Sequence, residues 1–177
     1  MNVKKLTLMG VGVALNVVGA FIAVTLKLPI YMDSIGTILI SCLLGPKLGV
    51  LTGLCGSIVS GITFDIYSLF FAPVQISTGY ISGIMYKKGF LKGFKTIIGV
   101  FAFALPTSVL SALIAAYIFG GVTSAGSSYI VQILNTFGIP SFYSIFVTQF
   151  FTDYLDKFLA VVLVGIMVKN MPKNMRL

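Results

Sequence analysis

Long apolar stretches alternate with short polar linkers along almost the whole chain. Six stretches stand out, at residues 6–26, 30–44, 48–64, 66–86, 96–119 and 142–168. A helix needs about 20 mostly apolar residues to cross a bilayer, and a shorter one crosses by local thinning or by packing against a partner. The pattern therefore predicts an all-α integral membrane protein with six transmembrane helices.

Two prolines refine these predicted helices. Pro73 falls early in the fourth stretch, where its missing N–H favours a loop first and a helix over residues 73–86. Pro106 lies in the middle of the fifth stretch and predicts a kink there.

The composition supports the membrane assignment, because 58% of the residues are hydrophobic and only 9% are charged. A soluble domain carries about 25% charged residues, so a soluble enzyme or nucleic-acid-binding module is excluded. There is no His, and Cys42 and Cys55 both lie inside apolar stretches, so we expect no metal site, disulfide or cofactor. The sequence has no Gly-rich phosphate-binding loop followed by Lys and Ser or Thr, and we expect no ATPase or other enzymatic activity of its own.

The basic residues predict the orientation in the membrane. The linkers on one side of the predicted bundle hold ten of the twelve basic residues: Lys4, Lys5, Lys47, Lys87, Lys88, Lys92, Lys95, Lys169, Lys173 and Arg176. The opposite linkers hold Lys27, Asp33, Asp65 and a neutral stretch at residues 120–141. Because cytoplasmic loops carry the excess of Lys and Arg, both termini are expected in the cytoplasm.

The longest linker, residues 120–141, begins with small and polar residues and then becomes partly apolar. Its apolar residues Ile130, Ile133, Leu134 and Phe137 follow helical spacing and predict a short surface helix in the outer loop before the sixth span. Such a loop is either the wall or lid of a binding site or a helix that only seals the bundle.

The sixth stretch carries Gln149, Asp153, Asp156 and Lys157 within an apolar run. Ionisable groups at membrane depth are costly and usually face a bundle interior or an aqueous cavity. Asp153 and Lys157 are four residues apart and could pair along one face of a helix. A structural ion pair would balance one aspartate and leave the other unexplained, whereas a pocket for a polar small molecule would account for all four residues.

Three stretches resemble the substrate-binding S components of energy-coupling factor (ECF) vitamin transporters. They are Leu-Pro-Ile-Tyr-Met-Asp-Ser-Ile-Gly-Thr at 28–37, Leu-Leu-Gly-Pro-Lys-Leu-Gly at 43–49 and Tyr-Leu-Asp-Lys-Phe-Leu-Ala-Val at 154–161. The Ala-x-x-x-Ala usual in the first helix of the family is replaced here by Gly10-x-x-x-Ala14. The resemblance covers almost the whole chain and implies a single six-helix transmembrane substrate-binding domain over residues 1–177.

The resemblance also implies a mechanism in a prokaryotic plasma membrane. S components bind a vitamin from outside, dock on a transmembrane T component carried by two cytoplasmic ATPases, and topple to release the vitamin inside. By this resemblance, Gly10 and Ala14 would form the docking face. The substrate-binding candidates are Asp33, Gln75, Asn135, Gln149 and Asp153, with Asp156 and Lys157 placed deeper.

Several alternatives stay open. Asp33 could instead cap the second helix, and Gln75 could serve only as a hydrogen bond between helices. The absence of Trp argues against riboflavin and thiamine, whose sites in this family are rich in aromatic residues. A vitamin B6 or hydroxymethylpyrimidine type of ligand is favoured, with pantothenate next because Lys157 could meet its carboxylate. The competing function is a non-transport structural or sensory subunit that uses the charged sixth helix for assembly.

Overall fold

The computed structural model describes residues 2–171, so Lys173 and Arg176 of the predicted cytoplasmic tail lie outside the described residues. The described chain is helical and contains no strand. Its helices are α1 (Val3–Thr25), α2 (Ile35–Leu44), α3 (Pro46–Thr63), α4 (Tyr67–Phe70), α5 (Ala72–Lys87), α6 (Thr96–Tyr117), α7 (Ser127–Thr136) and α8 (Ser141–Asn170). A short 3₁₀ turn, Gly93–Lys95, leads into α6.

The prolines act largely as the sequence predicts. The fourth stretch divides into the single turn α4 and the longer helix α5, which has Pro73 in its first turn, where a backbone N–H has no helical partner to lose. Pro106 lies inside α6, and the helix continues through it from Thr96 to Tyr117.

The second predicted helix starts later than expected. Residues 30–34 are not helical, and α2 begins only at Ile35. Lys27 and Met32 have φ angles of 52° and 53°, in the left-handed region, which no α-helix accommodates. The segment 26–34 is therefore a connection folded back over the bundle, and we call it the first outer loop.

Close helix packing rests on small residues. α2 is central and contacts α1, α3, α5 and α8, while α3 packs on α5 and α6 packs on α8. A Cβ placed on Gly79 of α5 would lie 2.7 Å from the backbone nitrogen of Val50, and one on Gly49 of α3 would collide with Ser41. The glycine ridges of α3 and α5 thus serve internal packing.

The bundle buries polar and charged side chains beside an apolar core and exposes apolar side chains on its outer surface. On α8, Gln149, Asp153 and Lys157 are at most 2% exposed, whereas Phe151 and Leu155 on the opposite face are 60% and 52% exposed. Apolar side chains facing outwards are stable in lipid, and charged groups are retained only in the interior. This arrangement fits a bilayer as the solvent.

Within residues 2–171, two helices are long and apolar enough to cross a membrane, Val3–Thr25 and the combined Gly93–Tyr117, and the apolar helix Ile35–Leu44 is shorter. Of the other helices, α8 carries the charged row described above, and α3 and α5 are rich in small and polar residues. The helices α1, α2, α3, α5, α6 and α8 each overlap one of the six predicted stretches, while the six-span topology and its orientation stay predictions.

The predicted short helix before the sixth span is present as α7, Ser127–Thr136. Its buried residue Val131 packs with Phe71, Ala115 and Ile145. Ile133 and Phe137 of its apolar face point outwards. α7 therefore covers one end of the bundle beside α8.

Candidate functional site

The polar and charged residues of α8 differ in their hydrogen-bond partners. Asp156 is the one whose two carboxylate oxygens both accept hydrogen bonds. Its Oδ2 accepts hydrogen bonds from Lys157 Nζ at 3.0 Å and from Ser34 Oγ at 3.1 Å. Its Oδ1 accepts from the backbone N–H of Met32 at 2.7 Å. Asp156 therefore pairs with Lys157 and fastens the first outer loop to α8. The i, i+4 pairing of Asp153 with Lys157 expected from helical spacing is replaced by this adjacent ion pair.

Asp153 and Gln149 lie one and two turns before this ion pair and are differently placed. Both are buried, yet Asp153 Oδ2 and Gln149 Oε1 have no hydrogen-bond partner within the described chain. A buried acceptor left unsatisfied costs about 1–3 kcal/mol, and more when it is charged. Of the two, Asp153 lines the cavity described next, whereas Gln149 is not among its lining residues.

A small polar cavity lies beside this row. Its volume is about 10 Å³, room for about one water molecule. Its walls come from the first outer loop and from α5, α6 and α8: Tyr31, Asp33, Phe71, Val74, Gln75, Ser111, Asp153 and Lys157. Four of the predicted substrate-binding residues, Asp33, Gln75, Asp153 and Lys157, thus line one cavity.

Carboxylates outnumber cations at this site. Asp33, Asp153 and Asp156 all interact electrostatically with Lys157, the single ammonium among them. In the first outer loop, outside the helices, burial raises the pKa of the Asp33 carboxyl above its ordinary value, and the Lys157 charge opposes that rise. The site therefore favours a ligand that brings hydrogen-bond donors or positive charge.

Gln75 is tied to the interior by a chain of hydrogen bonds. Its Oε1 accepts from Thr37 Oγ1 at 3.0 Å, and Thr37 Oγ1 accepts from Asn16 Nδ2 at 2.7 Å. Asn16 Oδ1 accepts in turn from the backbone N–H of Gly36 at 2.7 Å. Asn16 thus joins α1 to α2, while Gln75 both joins helices and lines the cavity.

Two outer connections close over the cavity. Lys27 Nζ donates to the carbonyl of Ser124 at 3.1 Å, and the N–H of Gly126 donates to the carbonyl of Leu28 at 2.9 Å. The Tyr31 hydroxyl lies 3.2 Å from Thr123 Oγ1 and 3.4 Å from Ser127 Oγ. The first outer loop is therefore hydrogen-bonded to residues 118–126. We call these two segments together the outer cover.

Some predicted residues lie elsewhere. Asn135 is exposed on α7 and is not among the cavity-lining residues. Asp33 does not cap α2, since the helix follows Ser34 and no side-chain cap bond forms there. Tyr31, Phe71 and Ser111 line the cavity but were not predicted, because nothing in their local sequence distinguishes them from ordinary apolar-segment residues.

Gly10 and Ala14 lie on the outer face of α1 and are both exposed. A Cβ on Gly10 would meet no atom within 4 Å, whereas one on Gly12 would lie 2.6 Å from Ile40. The face of α1 that packs into the bundle is therefore separate from the face that carries Gly10 and Ala14.

The apolar outer surface and the buried polar and charged side chains define a helical membrane protein. The family model described as ECF transporter, substrate-specific component, matches residues 4–175. The chain belongs to this family, as its sequence resemblance predicts. It is a membrane-embedded, substrate-binding subunit of a transporter. Comparisons with curated proteins and with solved structures found no match.

Proposed function

We propose that the cavity beneath the outer cover is the vitamin site and that Asp153 is its principal anchor. The supporting observation is the unpartnered oxygen of Asp153, a carboxylate that is 1% exposed and lines a polar cavity. Asp156 and Lys157 then have a structural role, as an ion pair that holds the first outer loop against α8 next to the site. Gln149, four residues from Asp153 on the same helix face, supplies a second free acceptor.

The donor and acceptor balance favours a vitamin B6 or hydroxymethylpyrimidine type of ligand. Such ring compounds carry hydroxyl, amino or ring N–H donors that match the free acceptors of Asp153 and Gln149. Pantothenate carries a carboxylate, and the one ammonium at the site already pairs with Asp156 at 3.0 Å. The carboxylates of Asp33 and Asp153 would also repel the carboxylate of pantothenate.

Ligand entry requires the outer cover to open. The cavity of about 10 Å³ is far below the roughly 300–1,000 Å³ of a typical ligand pocket. The hydrogen bonds of Lys27 and Tyr31 across the outer cover, and the bond from the Gly126 N–H to the Leu28 carbonyl, must then separate. They are few and partly exposed, so opening is local and leaves the helix bundle intact.

The proposed ligand class is tested by thermal shift of the detergent-solubilised protein against a panel of B vitamins. At 100 times Kd a ligand stabilises the folded state by about 2.7 kcal/mol. For a chain of this size that corresponds to roughly 5–10 °C in Tm. We expect this shift with pyridoxine-type compounds or hydroxymethylpyrimidine and a smaller one with pantothenate. A dominant shift with pantothenate would overturn the ligand class.

We further propose that the lysine-rich end faces the cytoplasm and that α1 docks on a T component served by two ATPases. The excess of Lys over Asp at that end supports the orientation. The exposed small residues Gly10 and Ala14 support the docking face, because small residues allow two helices to approach closely.

Ala14→Leu is expected to abolish most uptake while leaving vitamin affinity unchanged. A leucine at position 14 would keep the helix of the T component from approaching α1 closely. The cavity should be unaffected, because position 14 lies on the outer surface of the bundle. Uptake in cells that also express the T component and both ATPases measures the first effect, and binding to the purified protein measures the second. Ala102→Leu, on the exposed side of α6, is the matched control. Equal losses of binding and uptake would show that Ala14 belongs to internal packing.

A further inference from the structure

Two adjacent cavities lie at the lysine-rich end of the bundle, away from the proposed vitamin site. The larger, about 600 Å³, is a mostly apolar groove between α8 and residues 91–97. Its α8 wall is formed by Phe158, Val161, Val162, Val164, Gly165 and Val168, with Lys169 at the end of the helix. It has the form of a slot for a hydrocarbon chain.

The second cavity, about 400 Å³, is basic. It is bordered by Lys5 of α1, Lys87 of α5 and Lys92, and no Asp lines either cavity among the residues described. Cys42, Tyr86 and Lys92 border both spaces, so the groove and the basic cavity are adjacent. The Lys92 ammonium lies 4.8 Å from the Tyr86 ring centroid, a cation–π distance that holds it at this junction.

We propose that these adjacent cavities bind one anionic phospholipid, with an acyl chain in the groove and the phosphate among Lys5, Lys87 and Lys92. The apolar walls match a hydrocarbon chain, and the basic cavity matches a negatively charged headgroup. Basic pockets between membrane helices at a cytoplasmic surface are a known mode of anionic lipid binding. A site of this kind would make the position of the protein in the bilayer depend on the charge of the lipid headgroups.

Native mass spectrometry of the full chain tests the proposal, with palmitoyl-oleoyl phosphatidylglycerol and palmitoyl-oleoyl phosphatidylcholine as probes. The variant Lys5→Gln/Lys87→Gln/Lys92→Gln is compared with Lys47→Gln/Lys88→Gln/Lys95→Gln. Both variants remove three charges from the same end, and only the first removes the cavity lysines. We expect the first to weaken phosphatidylglycerol binding by roughly ten- to a hundredfold and the second to change it little.

A second variant tests the apolar half of the site. A Cβ on Gly165 would meet no atom within 4 Å, so Gly165→Leu fills the groove without a clash. It should reduce phosphatidylglycerol binding at unchanged Tm, while Ala102→Leu should not.

Three results would overturn the proposal. Equal losses of phosphatidylglycerol binding in the two lysine variants would show that the lipid responds to the overall positive charge of this end and not to the cavity lysines. Equal affinity for phosphatidylcholine would show that the headgroup is not recognised. Loss of T-component association in Gly165→Leu with phosphatidylglycerol affinity retained would show that a partner helix, and not a lipid, occupies the groove.

Discussion

Asp156→Asn is expected to destabilise the protein by about 3–5 kcal/mol, the usual cost of breaking a buried ion pair by removing one partner. The variant removes the hydrogen-bonded partner of Lys157, which is 2% exposed, and leaves Lys157 only the electrostatic attraction of Asp33 and Asp153. It also weakens the attachment of the first outer loop, because Asp156 accepts from Met32 and Ser34. Thermal unfolding in detergent should show a fall in Tm of roughly 6–20 °C.

The double variant Asp156→Asn/Lys157→Met is the control for this prediction. Methionine has a similar length and no charge, so the double variant removes the unpaired ammonium and should recover much of the lost stability. A double variant no more stable than Asp156→Asn would assign the effect to the loop hydrogen bonds. A wild-type Tm in the single variant would contradict the structural role of the pair.

The helices were predictable because membrane helices must be long and apolar, and that signal is local. The first outer loop was not predictable in the same way. Residues 30–34 are apolar enough to extend the second helix, but Met32 bonds to Asp156, more than a hundred positions away along the chain. A contact so remote in sequence leaves no mark in the hydropathy pattern. Met32 also has a left-handed φ of 53°, which a methionine rarely adopts.

The charged row of α8 was visible in the sequence, whereas its pairing was not. Helical spacing favours side chains three or four positions apart, which pointed to Asp153 and Lys157. The long lysine stem instead folds back to its neighbour Asp156, whose other lone pairs are already committed to the first outer loop. Asp156 thus forms the ion pair with Lys157, and Asp153 Oδ2 has no hydrogen-bond partner within the described chain.

The aromatic and hydroxyl members of the site show a further limit of sequence interpretation. Tyr31 lies in a loop, Phe71 at a helix boundary and Ser111 within an apolar helix. Each meets Asp153 only after α5, α6 and α8 have packed and the outer cover has closed. Their roles depend on tertiary geometry, while the role of Asp153 is signalled by the cost of placing a carboxylate in an apolar run.

Asp153→Asn is expected to reduce vitamin affinity about ten- to a hundredfold while the protein still folds. Asparagine keeps the shape and one acceptor oxygen but loses the charge, and a hydrogen bond to a charged group contributes roughly 1.5–3 kcal/mol. Folding should survive because Asp153 Oδ2 has no protein partner to lose. Affinity for the vitamin selected by the panel and Tm are to be measured on the same sample.

Asp65→Asn is the matched control for Asp153→Asn. Asp65 is also a buried carboxylate, but it accepts from Ser68 Oγ at 3.0 Å and does not line the cavity. We expect Asp65→Asn to leave vitamin affinity unchanged. If Asp153→Asn instead lowered Tm strongly and its folded fraction bound the vitamin as tightly as the wild type, Asp153 would be structural. The anchor of the vitamin would then have to be sought among Asp33, Gln75 and Gln149.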